Sequence, residues 1–130
     1  MYLFDSNIFL EILLQQQRAD AAQKALEELS SDRPGVVTGF ALHAIEVIST
    51  RAGEFDVLSK FMHFLRNYPF LRRYDTTTEE EEEICRRAPR LALDFDDALH
   101  HFVAEKHKLV LITFDSDFRN KKDIQVLFPK

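Results

Sequence analysis

At 130 residues, 45% of them hydrophobic and 30% charged, the chain can bury a core without disulfides, and its lone cysteine, Cys85, rules out an internal disulfide framework. Its formal net charge of −5, from 17 Lys and Arg against 22 Asp and Glu, argues against a protein that grips nucleic acid by bulk charge alone. No apolar run approaches the ~20 residues that cross a bilayer, and no basic segment precedes an apolar one at Met1, so a cytoplasmic protein of one domain, 1–130, is expected.

Tyr2 to Phe4 is short, apolar and aromatic, the pattern of a buried strand. Ser6 and Asn7 offer capping chemistry before Ile8, Phe9, Ile12 and Leu13, which recur at helical spacing. A second helix is expected from Ala19 to Leu29, ending in the polar stretch Ser30 to Gly35 with its Pro-Gly turn signal. Gly35 to Thr38 reads as the second strand. From Phe40 to Thr50, the residues Leu42, Ile45, Val47 and Ile48 suit a buried helix that Gly53 helps to terminate. Glu54 to Asn67 is amphipathic, with Phe55, Leu58, Phe61, Met62 and Leu65 on its apolar stripe.

Pro69 closes that helix, and Phe70 to Tyr74 reads as a third strand entering a turn at Asp75. Thr76 to Thr78 followed by Glu79 to Glu83 is a helix start, expected to be solvated and to continue to about Ala88, before Pro89. Within it Cys85 is expected to be half-buried. Leu93 to Lys106 holds the next helix, with His100 and His101 on its surface or partly buried. Leu109 to Thr113 is an uninterrupted aliphatic strand, and Ile124 to Phe128 supplies the last one. Short strands that are apolar throughout, alternating with helices, indicate an α/β fold with a mainly parallel sheet covered on both faces.

In such sheets ligands bind beyond the carboxyl ends of the strands, near the point where strand order reverses. Asp5 follows the first strand directly, and Asp115 follows the aliphatic strand by two positions. Asp97 lies at the start of the helix leading into that strand, where the inward packing of Leu93, Phe95, Ala98, Leu99, Phe102 and Val103 would hold it near the same edge. Glu46 sits among Ala44, Ile45, Val47 and Ile48 with no Lys or Arg within a turn, and a carboxylate in that setting needs a positive partner. A metal would supply it.

Converging carboxylates repel one another unless a divalent cation binds among them. Oxygen-only ligands favour Mg²⁺ or Mn²⁺ over zinc; His100, His101 and His107 lack zinc-site spacing, and His43, three residues before Glu46, is a weak signal. Such an ion activates water and stabilises charge on a phosphodiester, which is nuclease chemistry. Taken singly, Asp5 and Asp97 also suit helix caps, and Asp115 suits a tight turn. The basic clusters Arg72-Arg73, Arg86-Arg87 with Arg90, and Arg119 with Lys121-Lys122 suit phosphate contacts or a surface charge balance equally well.

The run Phe4-Asp5-Ser6-Asn7-Ile8-Phe9, the helical Glu46, Asp96-Asp97-Ala98-Leu99 and Thr113-Phe114-Asp115-Ser116-Asp117-Phe118 together resemble the PIN domain. Within it, the chain looks like the VapC-type toxins of prokaryotic toxin–antitoxin pairs. The resemblance implies a Rossmann-like three-layer α/β/α sandwich and Mg²⁺-dependent endoribonuclease activity on structured RNA of the tRNA or rRNA class. It also implies a homodimer and inhibition by a small antitoxin whose tail enters the acidic groove. It carries over Asp5, Glu46, Asp97 and Asp115 as the catalytic, metal-binding quartet, Asp117 as a possible fifth acid, and Asn7 and Thr113 as supporting polar residues. Asp94, Asp96 and Asp97 crowd one turn, and the Ala-Leu that follows singles out Asp97. Two other readings stand beside this one. The first is a PIN-like module that holds RNA or a partner without cleaving. The second is a phosphoacceptor or phosphatase domain with Asp5 as nucleophile, which the absence of a Lys from Thr113 to Ser116 disfavours.

Overall fold

The computed structural model describes residues 1–121 and 123–130, so Lys122 of the last basic cluster lies outside the described residues. Five strands and six helices follow in the order β1 (Tyr2–Phe4), α1 (Ser6–Leu13), α2 (Ala19–Glu27), β2 (Gly35–Thr38), α3 (Gly39–Arg51), α4 (Phe55–Asn67), β3 (Leu71–Tyr74), α5 (Thr78–Leu91), α6 (Phe95–His107), β4 (Val110–Ile112) and β5 (Gln125–Leu127), with a 3₁₀ turn at Ser116–Phe118. The strands pair in parallel in the order β3-β2-β1-β4-β5. The order reverses between β1 and β4, which pair directly. Among the described residues no helix is long and apolar enough to cross a membrane.

The apolar strands follow from burial on both faces. Successive side chains on a strand point to opposite sides. Phe4, Val37 and Ile112 join one core with α1 to α4, whereas Leu3, Val36 and Leu111 join another with α5 and α6. The result is a three-layer sandwich in which a residue of either parity on the three central strands meets a helix. Phe9 anchors the first layer, packing against Phe4 with ring centroids 6.0 Å apart and against Phe61 at 5.3 Å.

Several local expectations are corrected by the packing. Pro89 does not stop its helix: α5 runs to Leu91 and ends at Ala92, which adopts the left-handed conformation at φ 55°. A proline so near the C-terminus removes only one bond of the ladder, and the opposite end is secured by a capping box between Thr77 and Glu80. Cys85 is exposed on that helix. On α3 the buried side carries Ala41, Leu42, Ile45 and Ser49, while Val47 and Ile48 are 46% and 42% exposed, so the helix has a second apolar face turned outward. His100 and His101 are both buried. His100 bridges two layers, with Nε2 3.2 Å from Thr38 Oγ1 and Nδ1 2.8 Å from the Asp96 carbonyl.

Glu80 departs from the expected solvated run because its side chain folds inward. Tyr74 Oη donates to its Oε2 at 2.7 Å, Lys106 Nζ donates to the same oxygen at 2.9 Å, and the Thr77 amide donates to Oε1 at 2.8 Å. Burial works against the charge, but the hydrogen bonds from Tyr74, Lys106 and Thr77 outweigh it and hold the carboxyl down to about 2. A depressed carboxyl pKa contributes stability above the unfolded value and loses it as pH falls towards the folded one. Glu80→Gln is therefore expected to lower stability by roughly 1–3 kcal/mol at neutral pH, a gap that closes in urea titrations as pH falls from about 4.5 towards 2. A gap that persists unchanged in acid would show that the charge of Glu80 is not what holds α5 to α6.

Candidate metal centre

The site forms where β1 and β4 end side by side. The Asp5 amide donates to the Ile112 carbonyl at 3.0 Å, carrying the strand register one residue past β1. Thr113, fully buried, then turns its hydroxyl between the two segments. Its Oγ1 donates to Asp5 Oδ2 at 2.8 Å and accepts from Asn7 Nδ2 at 3.1 Å and from the Asp115 amide at 3.0 Å. Asn7 completes the knot, donating to Asp5 Oδ2 at 3.3 Å and accepting from the Phe114 amide at 3.1 Å. Asp5 also caps α1, accepting from the Ser6 amide at 2.7 Å, so its structural role and its place in the site coexist.

Asp97 reaches the same edge from the first turn of α6, where the amide dipoles favour a carboxylate. Of the three acids crowded there, Asp97 is the buried one, and Asp94 and Asp96 face solvent. Asp115 opens the 3₁₀ turn and accepts from the Asp117 amide at 2.9 Å, which aims Asp117 back towards Asp97. Carboxylate oxygens of Asp97, Asp115 and Asp117 lie within 4.8 Å of one another. Burial raises the Asp97 carboxyl to about 7, reinforced by the negative charges of Asp96, Asp115, Asp5 and Asp117. At neutral pH this group therefore retains a proton for much of the time unless positive charge enters the pocket.

The donor set fits a hard dication. All its atoms are carboxylate oxygens, and a six-coordinate Mg²⁺ with ligands at about 2.1 Å spans oxygen pairs roughly 3 to 4.2 Å apart, close to the spacing present. Glu46 is placed differently. It lies on α3 with its side chain 40% exposed, and its Oε1 is 2.9 Å from His43 Nδ1. Its nearest polar partner is thus the histidine one turn earlier, and Glu46 is not among the carboxylates whose charge raises Asp97. One rim residue carries no signal in the sequence. Arg18 lays its guanidinium 4.2 Å from the centroid of the ring of Phe114, the residue before Asp115, and donates through Nε to Glu11 at 2.9 Å.

Because Asp97 binds its proton more tightly folded than unfolded, its contribution opposes folding as pH rises from its unfolded value towards 7. In chelator, stability is expected to drop by roughly 3–4 kcal/mol between about pH 4 and 8. Asp97→Asn should flatten that slope and make the metal-free protein more stable at pH 8, as read from urea denaturation. A flat wild-type profile would mean that neither burial nor the neighbouring acids hold the Asp97 carboxyl above its unfolded value.

A model of the PIN domain matches residues 2–124. No curated protein matches the chain. Among solved structures it is similar to a toxin–antitoxin complex from Klebsiella pneumoniae, at 21% identity and a TM-score of 0.75, covering 100% of this chain and 98% of that one. It is similar too to VapBC2 from Rickettsia felis bound to a DNA fragment from its promoter, at 16% identity and a TM-score of 0.76, with 99% and 98% covered. VapC20 from Mycobacterium tuberculosis, a Sarcin-Ricin loop cleaving toxin, aligns at 16% identity and a TM-score of 0.80 over 94% of this chain and 95% of that one. At such identities these likenesses speak for the fold, and the family match spans nearly the whole sequence: the chain belongs to the PIN domain family.

Proposed function

We propose that this protein is a Mg²⁺-dependent endoribonuclease, with Mn²⁺ as a substitute, and the toxin of a toxin–antitoxin pair acting in the cytoplasm. The observation that carries the reading is the pocket at the sheet reversal, where buried Asp97 shares a few ångströms with Asp115 and Asp117 and feels the charge of Asp5. Asp5, Asp97 and Asp115 would hold the ion with Asp117 beside them, and Glu46 would act as an outer acid from α3. When bound, the ion supplies an activated water and neutralises charge on the scissile phosphate. Thr113 and Asn7 fix the Asp5 carboxylate so that it need not reorganise during the reaction. The protein's own net charge of −5 repels RNA, so substrate approach depends on the dication and on rim groups such as Arg18. The solved relatives support this reading, VapC20 being a Sarcin-Ricin loop cleaving toxin, and rRNA or tRNA is the substrate class it favours.

Two surfaces suit the expected partners. A groove of about 480 Å³ between α1, α2 and α4, lined by Phe9, Ile12, Leu13, Leu26, Val57 and Phe61, is apolar enough to seat a segment of an antitoxin, whose basic tail would then reach the acids. The outward stripe Phe40, Val47 and Ile48 on α3, with exposed Phe55 at the start of α4, suits a second copy of this chain about a two-fold axis.

Purified protein is expected to cut structured RNA with Mg²⁺ or Mn²⁺ and to stop in chelator. Asp97→Asn and Asp115→Asn should each lower the rate at least about a hundredfold while melting no lower than wild type in chelator. Cleavage that survives chelation, or Asp97→Asn protein that cuts at the wild-type rate, would refute the assignment. Ile48→Glu is expected to shift the protein from dimer to monomer in sedimentation, and an unchanged sedimentation coefficient would exclude the α3 stripe as the interface.

A further inference from the structure

A second cluster of ligand atoms lies away from the acidic pocket, where α6 meets the segment leading into β5. His101 and Glu105 stand one turn apart on α6, and Asp123 approaches them from just before β5, with one ligand atom of each within 4.8 Å of the others. The His101 side chain is only 2% exposed, and its Nε2 lies 2.8 Å from Asp123 Oδ2, where, although burial works against the charge, it helps hold the Asp123 carboxyl below its usual range. Its Nδ1 makes no hydrogen bond among the described residues, and a buried polar atom left so costs stability. The N–O separation is a few tenths of an ångström short of the ~3.3 Å between donors of a tetrahedral ion with bonds of about 2.0–2.1 Å.

We propose that His101, Glu105 and Asp123 form a second cation site, chemically distinct from the all-oxygen pocket, that takes a borderline transition-metal ion of the zinc(II) type. One imidazole with two carboxylates is a donor set suited to such an ion, with water in the fourth position. The space beside it, about 130 Å³ and lined by Arg87, Arg90, Leu91, His101, Glu105 and Asp123, accommodates an ion and its water. Two of the basic groups nearby are engaged with other partners. Arg87 Nη1 donates to Glu105 Oε1 at 2.7 Å, which leaves Oε2 to turn towards the cluster, and Lys121 Nζ is engaged with the Leu91 carbonyl at 2.9 Å. A bound ion clasps α6 to the approach of β5, the edge strand that pairs with β4. It would thereby stabilise the strand whose end carries Thr113 and Asp115.

The test is calorimetric titration of the full chain with ZnCl₂, as wild type and as Asp97→Asn, so that zinc taken up by the all-oxygen pocket is told apart from zinc bound here, alongside melting curves of the Asp97→Asn protein with and without zinc. One equivalent is expected to bind and to raise the melting temperature. Glu105→Gln and Asp123→Asn, both at exposed positions that leave the core untouched, should each weaken binding at least about tenfold and remove the thermal shift. His101→Asn should do the same, with its metal-free melting curve reporting whether it folds. The proposal fails if zinc neither binds nor stabilises, or if Asp123→Asn and Glu105→Gln bind zinc as wild type does. None of these readouts depends on RNA cleavage, so the site stands or falls separately from the nuclease assignment.

Discussion

One hydroxyl holds the centre of this molecule together. Thr113 Oγ1 gives its proton to Asp5 and receives protons from Asn7 and from the Asp115 amide, joining the end of β4, the end of β1 and the start of α1 at a single buried atom. Hydrogen bonds shielded from water have no solvent competitor, and leaving any of their partners unpaired costs about 1–3 kcal/mol. The geometry of the candidate site is therefore a consequence of how the two central strands are terminated. A serine could offer the same oxygen, but the β-branched threonine also restricts its own rotamer beside the strand.

Asp97 presents the opposite physics. Donors surround Asp5, whereas Asp97 is surrounded by other acids and by burial that penalises its charge. The fold sustains that conflict because α6 is anchored elsewhere. His100 ties it to Thr38, the capped α5 grips it through Glu80 and Lys106, and Ala98, Leu99 and Val103 are packed into the core. A rigid scaffold that concentrates unfavourable charge in one place is the usual arrangement of a functional site, where stability is given up locally. Positive charge entering the pocket would relieve the conflict.

The two faces of the sheet serve different ends. α5 and α6 seal one face and deliver Asp97. On the other, α1 to α4 leave an apolar groove, and the outer side of α3 stays apolar and open. Surfaces of this kind on a small chain mark places where other chains bind.

The order of strands and helices was legible because the three central strands are apolar on both sides, a pattern that a sheet covered on both faces satisfies, while the edge strands turn Arg72, Arg73 and Gln125 to solvent. Asp5 and Asp115 were legible for a related reason: a carboxylate just past a parallel strand has only the carboxyl edge to occupy. Contacts between distant segments were not legible. The Asp117 amide's bond to Asp115, the inward turn of Glu80 to Tyr74 and Lys106, and the burial of His101 beside Asp123 each depend on residues that meet only after the layers close. Glu46 shows the limit from the other side. Its apolar neighbours suggested burial, but a helix has several faces, and only packing decides that Ile45 turns in while Val47, Ile48 and Glu46 turn out. Periodicity specifies which residues share a face, and tertiary structure alone decides what that face meets.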